Sequence, residues 1–392
     1  FVTYSSILNC MKQVYLLFIF TSSFSLAQQL RVVDAESGNA ISNARVIVEE
    51  KVVYSNDDGY ATVGKEVANL MISAIGYQSE NLKVYQDIVI LKPSVKDIEE
   101  VKIVKIDVKP IFEEVLRNYS KIYYPKPSLY EVDFKQKSFD NGKLNFLVIS
   151  NGKIWTKANS FNFKDAIRNK GNEMMQFQFD GVKFLRNIKS DSIFSSKTAE
   201  TSNENLGNFF MNFELIRIIR IMKDNQTKYS GTILSEDQDE QLISFMTNSN
   251  LGIKLEGEMR FNKKDRAISY LAVTHLQDEY PIVKRKTTDG EDYDFKLGTG
   301  TIVFEFYKKD RYYIPTFNKI EGSGYTVFYK NETHVKKFSR EIIYKTFSAS
   351  TKNGLESTND FDGSYWDGLP IKDNKETTVL LSKEEQEFIN KK

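Results

Sequence analysis

Side chains able to do chemistry are scarce in this chain of 392 residues. Its two histidines, His275 and His334, stand far apart, and neither belongs to an H-x-x-E or H-E-x-x-H pattern. A catalytic zinc site needs several histidine and carboxylate ligands at fixed spacing, so both read as surface or hydrogen-bonded histidines, and no metal and no cofactor is expected. The single cysteine, Cys10, precedes Met11, which leaves the chain from Met11 onward with no disulfide, thiolate nucleophile or cysteine-bound metal. Ser150-Asn151-Gly152-Lys153 matches S-x-x-K. That motif needs a helix to bring lysine beside serine, whereas Asn-Gly between apolar runs favours a two-residue hairpin turn. No catalytic residue is assigned.

Carboxylates remain. Three acidic runs, "SEDQDEQ" (Glu236, Asp237, Asp239, Glu240), "DGEDYD" (Asp289 to Asp294) and "DFDGSYWD", could serve calcium binding or glycan hydrolysis. None has the spacing of an EF-hand loop with its distal glutamate, and solvated loops account for most such runs. The last holds Asp360, Asp362, Tyr365, Trp366 and Asp367. It is the candidate ligand or partner contact, because an aromatic among acids can stack on a sugar; its plainer role is to pin a C-terminal tail to a sheet. A second candidate is "LGNFFMNFELIRIIRIMKD", Leu206 to Asp224, which reads as one helix apolar on all sides except Glu214, Arg217 and Arg220. Such a helix is buried against something broad. Its aromatics, Phe209 and Phe213, either pack in a core or plug a cavity that takes an apolar ligand.

Elements must position these residues. Aromatics make up 13% of the chain, which favours strands. Lys+Arg and Asp+Glu number 54 and 53, a balance that argues against a nucleic-acid partner. "MKQVYLLFIFTSSFSLAQQ" has one lysine, a short apolar core and a small-x-small site at Ala27. Residues 1–27 are therefore expected to be a signal peptide, with 1–10 upstream of the true start, and the protein to be exported to the periplasm or the outer-membrane periphery. Residues 28–93 alternate short apolar runs with turns, as in a small sandwich. Residues 94–108 read as a charged linker containing one strand. From Lys109 apolar residues fall at helical spacing, with Pro110 in the first turn, and the region 109–354 then becomes mostly antiparallel strands. Residues 355–392 form a tail with a short closing helix, opened by a capping box at Ser382 and Glu385.

Asp34, Gly38, Ala44, Val46, Asp58, Gly59 and the run Ser73-Ala74-Ile75-Gly76-Tyr77 follow the pattern of the carboxypeptidase-regulatory-like domain, which this stretch resembles. The resemblance implies a seven-stranded, transthyretin-like sandwich in a secreted bacterial protein, with Gly38, Asp58, Gly59, Gly76 and Tyr77 as structural turn residues. Ala40 and Ser55-Asn56 depart from the family at two turn positions. In carboxypeptidases this module accompanies a zinc peptidase, an activity the two isolated histidines do not support. Elsewhere it precedes TonB-dependent receptors or unrelated periplasmic domains. "DIEEVKI", "YYPKPSLYEVDFKQKS" and "GEMRFNKKDRAISYL" resemble the uncharacterised partner domain behind it, and the element order is similar to the LolA/LolB carriers, whose long sheet curls around helices. The expected fold is therefore mainly β (α+β), a small sandwich followed by a large curved antiparallel sheet packed on a few helices. The expected role is a non-catalytic envelope protein binding an outer-membrane or other envelope partner, or an apolar ligand. A carboxylate-dependent glycan hydrolase and a lipid or lipoprotein carrier are the alternatives.

Overall fold

The computed structural model describes residues 28–48, 51–64, 69–93, 104–168, 171–188, 206–249, 252–277, 279–359, 366, 368–371 and 379–391. The expected signal peptide lies outside them, as does most of the expected linker. The protein is mainly β, with one small and one large strand region and a few helices.

The small region has seven strands: β1 (Gln28–Asp34), β2 (Arg45–Val48), β3 (Lys51–Tyr54), β4 (Tyr60–Val63), β5 (Leu70–Ser73), β6 (Glu80–Leu82) and β7 (Ile88–Leu91). They form two sheets, ordered β4-β1-β7 and β3-β2-β5-β6. Alternate residues of both, among them Leu30, Val32, Val46, Ile72, Val89 and Leu91, make one buried cluster, as period-2 patterning requires of strands with one covered face. Gly38, Gly59 and Gly76 all have positive φ. Gly59 is constrained twice over: its φ is +82°, and a Cβ there would lie 2.6 Å from the Val32 carbonyl oxygen. The Asn56 side chain accepts hydrogen bonds from the amides of Asp58 and Tyr60, so this asparagine closes the turn.

The large sheet is built from β8 (Val104–Ile106), β9 (Ser128–Asp140), β10 (Lys143–Thr156), β11 (Met175–Asn187), β12 (Lys228–Glu236), β13 (Glu240–Asn248), β14 (Lys254–Asn262), β15 (Ala267–Leu276), β16 (Val283–Lys286), β17 (Asp292–Leu297), β18 (Gly300–Lys309), β19 (Tyr312–Tyr329), β20 (Glu332–Tyr344) and β21 (Ser348–Ala349). Its main path runs β11-β10-β9-β20-β19-β18-β15-β14-β13-β12-β8. β8 is the strand read within the linker; it closes the edge beside β12.

One face of this sheet carries the helices α1 (Lys109–Arg117), α2 (Tyr119–Ile122), α3 (Phe163–Ile167), α4 (Gly171–Met174) and α5 (Met211–Met222). Phe112 and Val115 of α1 and Leu215, Ile218 and Ile219 of α5 pack onto Ile243, Phe245, Leu255, Met259 and Leu271 of the sheet. The Tyr123 hydroxyl completes this layer. It donates to the Ile268 carbonyl (2.8 Å) and accepts from the Ile268 amide (3.1 Å). Tyr123→Phe leaves two buried backbone groups without this partner and should cost about 2–4 kcal/mol in urea unfolding, although it removes only a single oxygen atom.

The opposite face is covered by the small region and by α6 (Lys383–Asn390). Val52 and Tyr54 of β3 and Phe388 of α6 share a cluster with Leu147, Ile149, Phe317 and Ile343 of the large sheet. Tyr54 stacks on Phe317 with ring centroids 4.7 Å apart, and its hydroxyl hydrogen-bonds Glu305 and Thr316. The capping box of α6 forms as expected, with the Ser382 and Glu385 side chains each bonded to the other's backbone amide.

Two expectations are corrected. The apolar helix begins at Met211, not Leu206. Residues from Leu206 make a separate turn, and Phe210 is extended (φ −121°, ψ 117°); the kink lets the Phe213 ring lie on Gly207, where a Cβ would sit 2.8 Å from it. Asn151-Gly152 is not a hairpin turn. Both residues lie inside β10, at a register shift against β11.

Candidate functional site

The helix-bearing face has two halves. Beside the α1/α5 layer lies an aromatic basin formed by Tyr130, Phe134, Phe177, Phe179, Ile314 and Tyr344, together with Phe209 and Phe210. The extended geometry of Phe210 turns the chain so that Phe209 and Phe210 enter this basin, while Met211 packs with the helix layer and reaches the chamber wall. Phe209 meets Phe177 with centroids 5.4 Å apart. Phe213 packs instead on Phe161 (4.9 Å) and Phe163 (5.5 Å). The chamber left around the inserted residues is lined by Tyr119, Thr156, Asn159, Phe304, Phe317 and Asn318, among others, and no charged side chain among the described residues lines it. Its volume is about 20 Å³, room for one water-sized group and far below the 300–1,000 Å³ of typical ligand pockets.

Polar groups in this region are few and mostly paired. Asn212 bonds the Phe161 backbone through both side-chain atoms (2.8 and 3.0 Å). Asn318 donates to the carbonyls of Asn208 and Val303 (3.2 Å each). Asn159 accepts from the Tyr130 hydroxyl (3.0 Å), but its amide nitrogen has no partner although the residue is only 7% exposed. Burial pushes the Tyr130 hydroxyl up to about 12, so it stays protonated and a donor.

The acid within the apolar run, Glu214, is 1% exposed. Its carboxylate accepts from His275 Nε2 (2.8 Å) and from Arg217 (3.1 Å), and Arg217 also lies 3.5 Å from His275 Nδ1. Burial alone would raise the Glu214 pKa; His275 and Arg217 more than offset that and hold it below the ordinary value. A depressed folded-state pKa contributes stability that is complete above the unfolded value, about 4.5, and is lost as pH falls through the folded value. Glu214→Gln should therefore flatten the acid limb of a stability–pH curve and cost about 1.5–3 kcal/mol at neutral pH; denaturant midpoints between pH 3 and 7 read both effects.

The acidic runs disperse. Asp237 turns a hairpin by accepting from the amides of Asp239 and Glu240, and Glu236 pairs with Lys263. Glu291, Asp292 and Asp294 pair with Lys330, Lys286 and Lys284. Asp360, Asp362, Tyr365 and Asp367 lie outside the described residues. Trp366 packs on Phe146 (5.0 Å), and its tail runs along the β11 edge, where Asn359 and Pro370 bond the backbones of Phe177 and Val182. His334 lies near Asp140 and Glu332 (3.3 and 3.4 Å). Among the described residues no group of three histidine, cysteine or acidic residues could hold a metal. Of the turn residues, Asp58 accepts from the first amide of α6 (2.7 Å), and the Tyr77 backbone bridges Pro93.

The outer face holds an open groove, about 450 Å³, lined by Ser230, Thr232, Ser244, Glu256, Glu258 and Thr274 among others. Glu256 and Glu258 stand side by side on β14. The one aromatic at this groove, Phe245, turns its ring to Phe112 on the other side of the sheet.

Asn159, Glu256 and Glu258 escaped sequence reading. Asn159 and Glu256 belong to no motif, Glu258 fills a variable position of the stretch opening at Gly257, and strand register reveals which face the two glutamates occupy. The Glu214–Arg217 pair was visible in outline, as charges at i and i+3 in an apolar run.

No protein-family model matches the chain, and no curated protein matches it. Among solved structures it is similar to a LolA superfamily protein from Nitrosomonas europaea, with 10% identity and a TM-score of 0.26 over 63% of this chain and 95% of that one. It is similar to the same degree to a domain from Vibrio parahaemolyticus described as an outer membrane lipoprotein-sorting protein, with 10% identity and a TM-score of 0.26 over 64% and 96%. A membrane-associated protein of unknown function from Bacteroides fragilis aligns over 81% and 97%, with 10% identity and a TM-score of 0.14. At such scores these likenesses decide nothing about the site, which is interpreted from its own side chains.

Proposed function

We propose that the protein is a non-catalytic binding protein of the cell envelope whose large domain holds an apolar ligand against the helix-bearing face, while the small sandwich acts as an adaptor for an envelope or outer-membrane partner. The observation that carries this reading is the insertion of Phe209 and Phe210 into an aromatic basin whose chamber is lined, among the described residues, by no charged side chain. Two large aromatic side chains just ahead of α5, with Met211 at its first position, occupy the place a ligand would take, and their withdrawal would open a chamber of the right chemistry. A lipid or lipoprotein carrier is the most specific form of this function. The carboxypeptidase-regulatory-like resemblance and the expected signal peptide support export and the adaptor role. Ile88 and Ile90, exposed on the edge strand β7, offer a contact surface for the partner, for which a TonB-dependent system is one case.

Mass spectrometry of lipids co-purifying with the protein from intact envelopes tests this. Retention of an apolar species, and more of it in a Phe209→Ala/Phe210→Ala variant, is the expected result; an apo spectrum for both proteins counts against it.

The second reading, a carboxylate-dependent hydrolase, is favoured by Glu256 and Glu258 in the open outer groove. Glycosidases use two carboxyls about 5–9.5 Å apart, and neighbouring residues on one face of a strand stand at about that separation. The groove has no aromatic platform for a sugar ring, which ranks this reading second. Glycan hydrolysis abolished by Glu258→Gln would reverse the ranking.

A further inference from the structure

Resting on the apolar-ligand reading, we propose that the Asn159 amide is a polar anchor that selects neutral ligands carrying a hydrogen-bond acceptor, such as a fatty ester, over ionised lipids and plain hydrocarbons. Asn159 lies just beyond β10, at the wall of the chamber, with Thr156 beside it. Its oxygen is engaged by Tyr130, which orients the amide and leaves the nitrogen's hydrogens for another acceptor. The two other buried amides of the region, Asn212 and Asn318, already spend theirs on backbone carbonyls. A buried donor without an acceptor is costly, so a ligand atom that accepts from it is favoured over one that does not.

Charge decides the rest of the class. Among the described residues no lysine, arginine or histidine lines the chamber. A carboxylate head entering it would lose its hydration with no cation in return. A neutral carbonyl loses far less and gains the Asn159 bond. An alkane loses nothing but leaves the donor unsatisfied. The expected order of affinity is therefore ester, then hydrocarbon, then carboxylate.

The test uses the full protein and its Phe209→Ala/Phe210→Ala variant, each with and without Asn159→Leu. Methyl laurate, dodecane and laurate compete for a bound fluorescent apolar probe. With Asn159 present, methyl laurate should displace the probe at a concentration several-fold lower than dodecane and at least tenfold lower than laurate. Asn159→Leu should erase the margin over dodecane and keep the margin over laurate. A second readout does not depend on that variant's folding: the carbonyl stretch of bound methyl laurate should lie below its frequency in dodecane, the shift a hydrogen bond produces. Equal competition by ester and hydrocarbon, or an unshifted carbonyl band, overturns the assignment and means that only a structural water meets this donor, while the apolar-ligand reading stands. If none of the three competes with the probe, in either background, the apolar-ligand reading itself falls.

Discussion

Replacing Glu385 by alanine should destabilise the protein by about 3–5 kcal/mol, the usual cost of stranding a buried charge, and should detach the C-terminal helix first. Glu385 does two jobs at once. It completes the capping box of α6, and its carboxylate, 0% exposed, meets Lys135 and Lys137 of β9. Lys137 also reaches Asp57 of the small sandwich (2.9 Å). Burial alone would lower the Lys137 pKa; Glu385, Asp57 and Glu341 more than reverse this and raise it. Three distant parts of the chain thus neutralise one another, with Glu385 and the two lysines buried and Asp57 at the exposed rim. Removing the glutamate leaves two lysines 6% and 7% exposed with too little negative charge beside them. The triple change Glu385→Leu/Lys135→Met/Lys137→Met should recover most of the loss, because a hydrophobic replacement of a whole buried pair is often neutral or better. Denaturant unfolding read by both far-ultraviolet circular dichroism and proteolysis of the C-terminus separates global loss from local release. A loss under 1 kcal/mol for Glu385→Ala would show that this cluster is solvated.

Gly152→Ala should be more damaging than its single added carbon suggests, at about 4 kcal/mol or more, a range reached only by mutations with a definite steric or electrostatic cause. A Cβ at Gly152 would fall 2.1 Å from the Gln178 carbonyl oxygen and 3.0 Å from the Phe179 Cα. Both are backbone atoms of the neighbouring strand, so no rotamer change relieves the clash. The strain would pull β10 from β11 beside Phe177 and Phe179, which wall the aromatic basin. Gly142→Ala is the control. That glycine has φ +76° with nothing within 4 Å of its Cβ position, so the substitution should cost only the roughly 1–2 kcal/mol of a left-handed alanine. Thermal unfolding of the two variants should differ clearly; similar midpoints would mean that the β10–β11 pairing absorbs the extra carbon.

These glycines show how far local signals reach. Of the chain's three Asn-Gly pairs, two stand between strand-forming stretches, Asn141-Gly142 and Asn151-Gly152. The dipeptide favours positive φ at both residues and therefore a tight hairpin. The structure uses the first pair in that way, with φ of 48° and 76°, and runs a straight, bulged strand through the second. The dipeptide states what the backbone can do, and the neighbouring strand decides what it does. At Gly152 the absent side chain serves the close approach of Gln178 and not a turn. The helix read from Leu206 fails for a similar reason. Apolar residues at helical spacing are necessary for a buried helix, but Phe209 and Phe210 find better burial in the basin than on the helix, and Phe210 leaves helical geometry to reach it.

What the sequence determined by itself was everything set by period, composition and local capping: the mainly β class, the small sandwich before a large antiparallel sheet, the Pro110 helix start, the Ser382–Glu385 box, and the shortage of histidine and cysteine. Each depends on residues near in the chain. The tertiary structure alone decided which polar groups lost water and which found a partner. Asn159, Glu214 with His275, and Glu385 with two lysines are ordinary residues in ordinary stretches. They become a donor without an acceptor, a buried carboxylate held by a histidine, and a buried clasp between the C-terminal helix and β9, because elements distant in sequence close over them, and desolvation is a property of the closed fold.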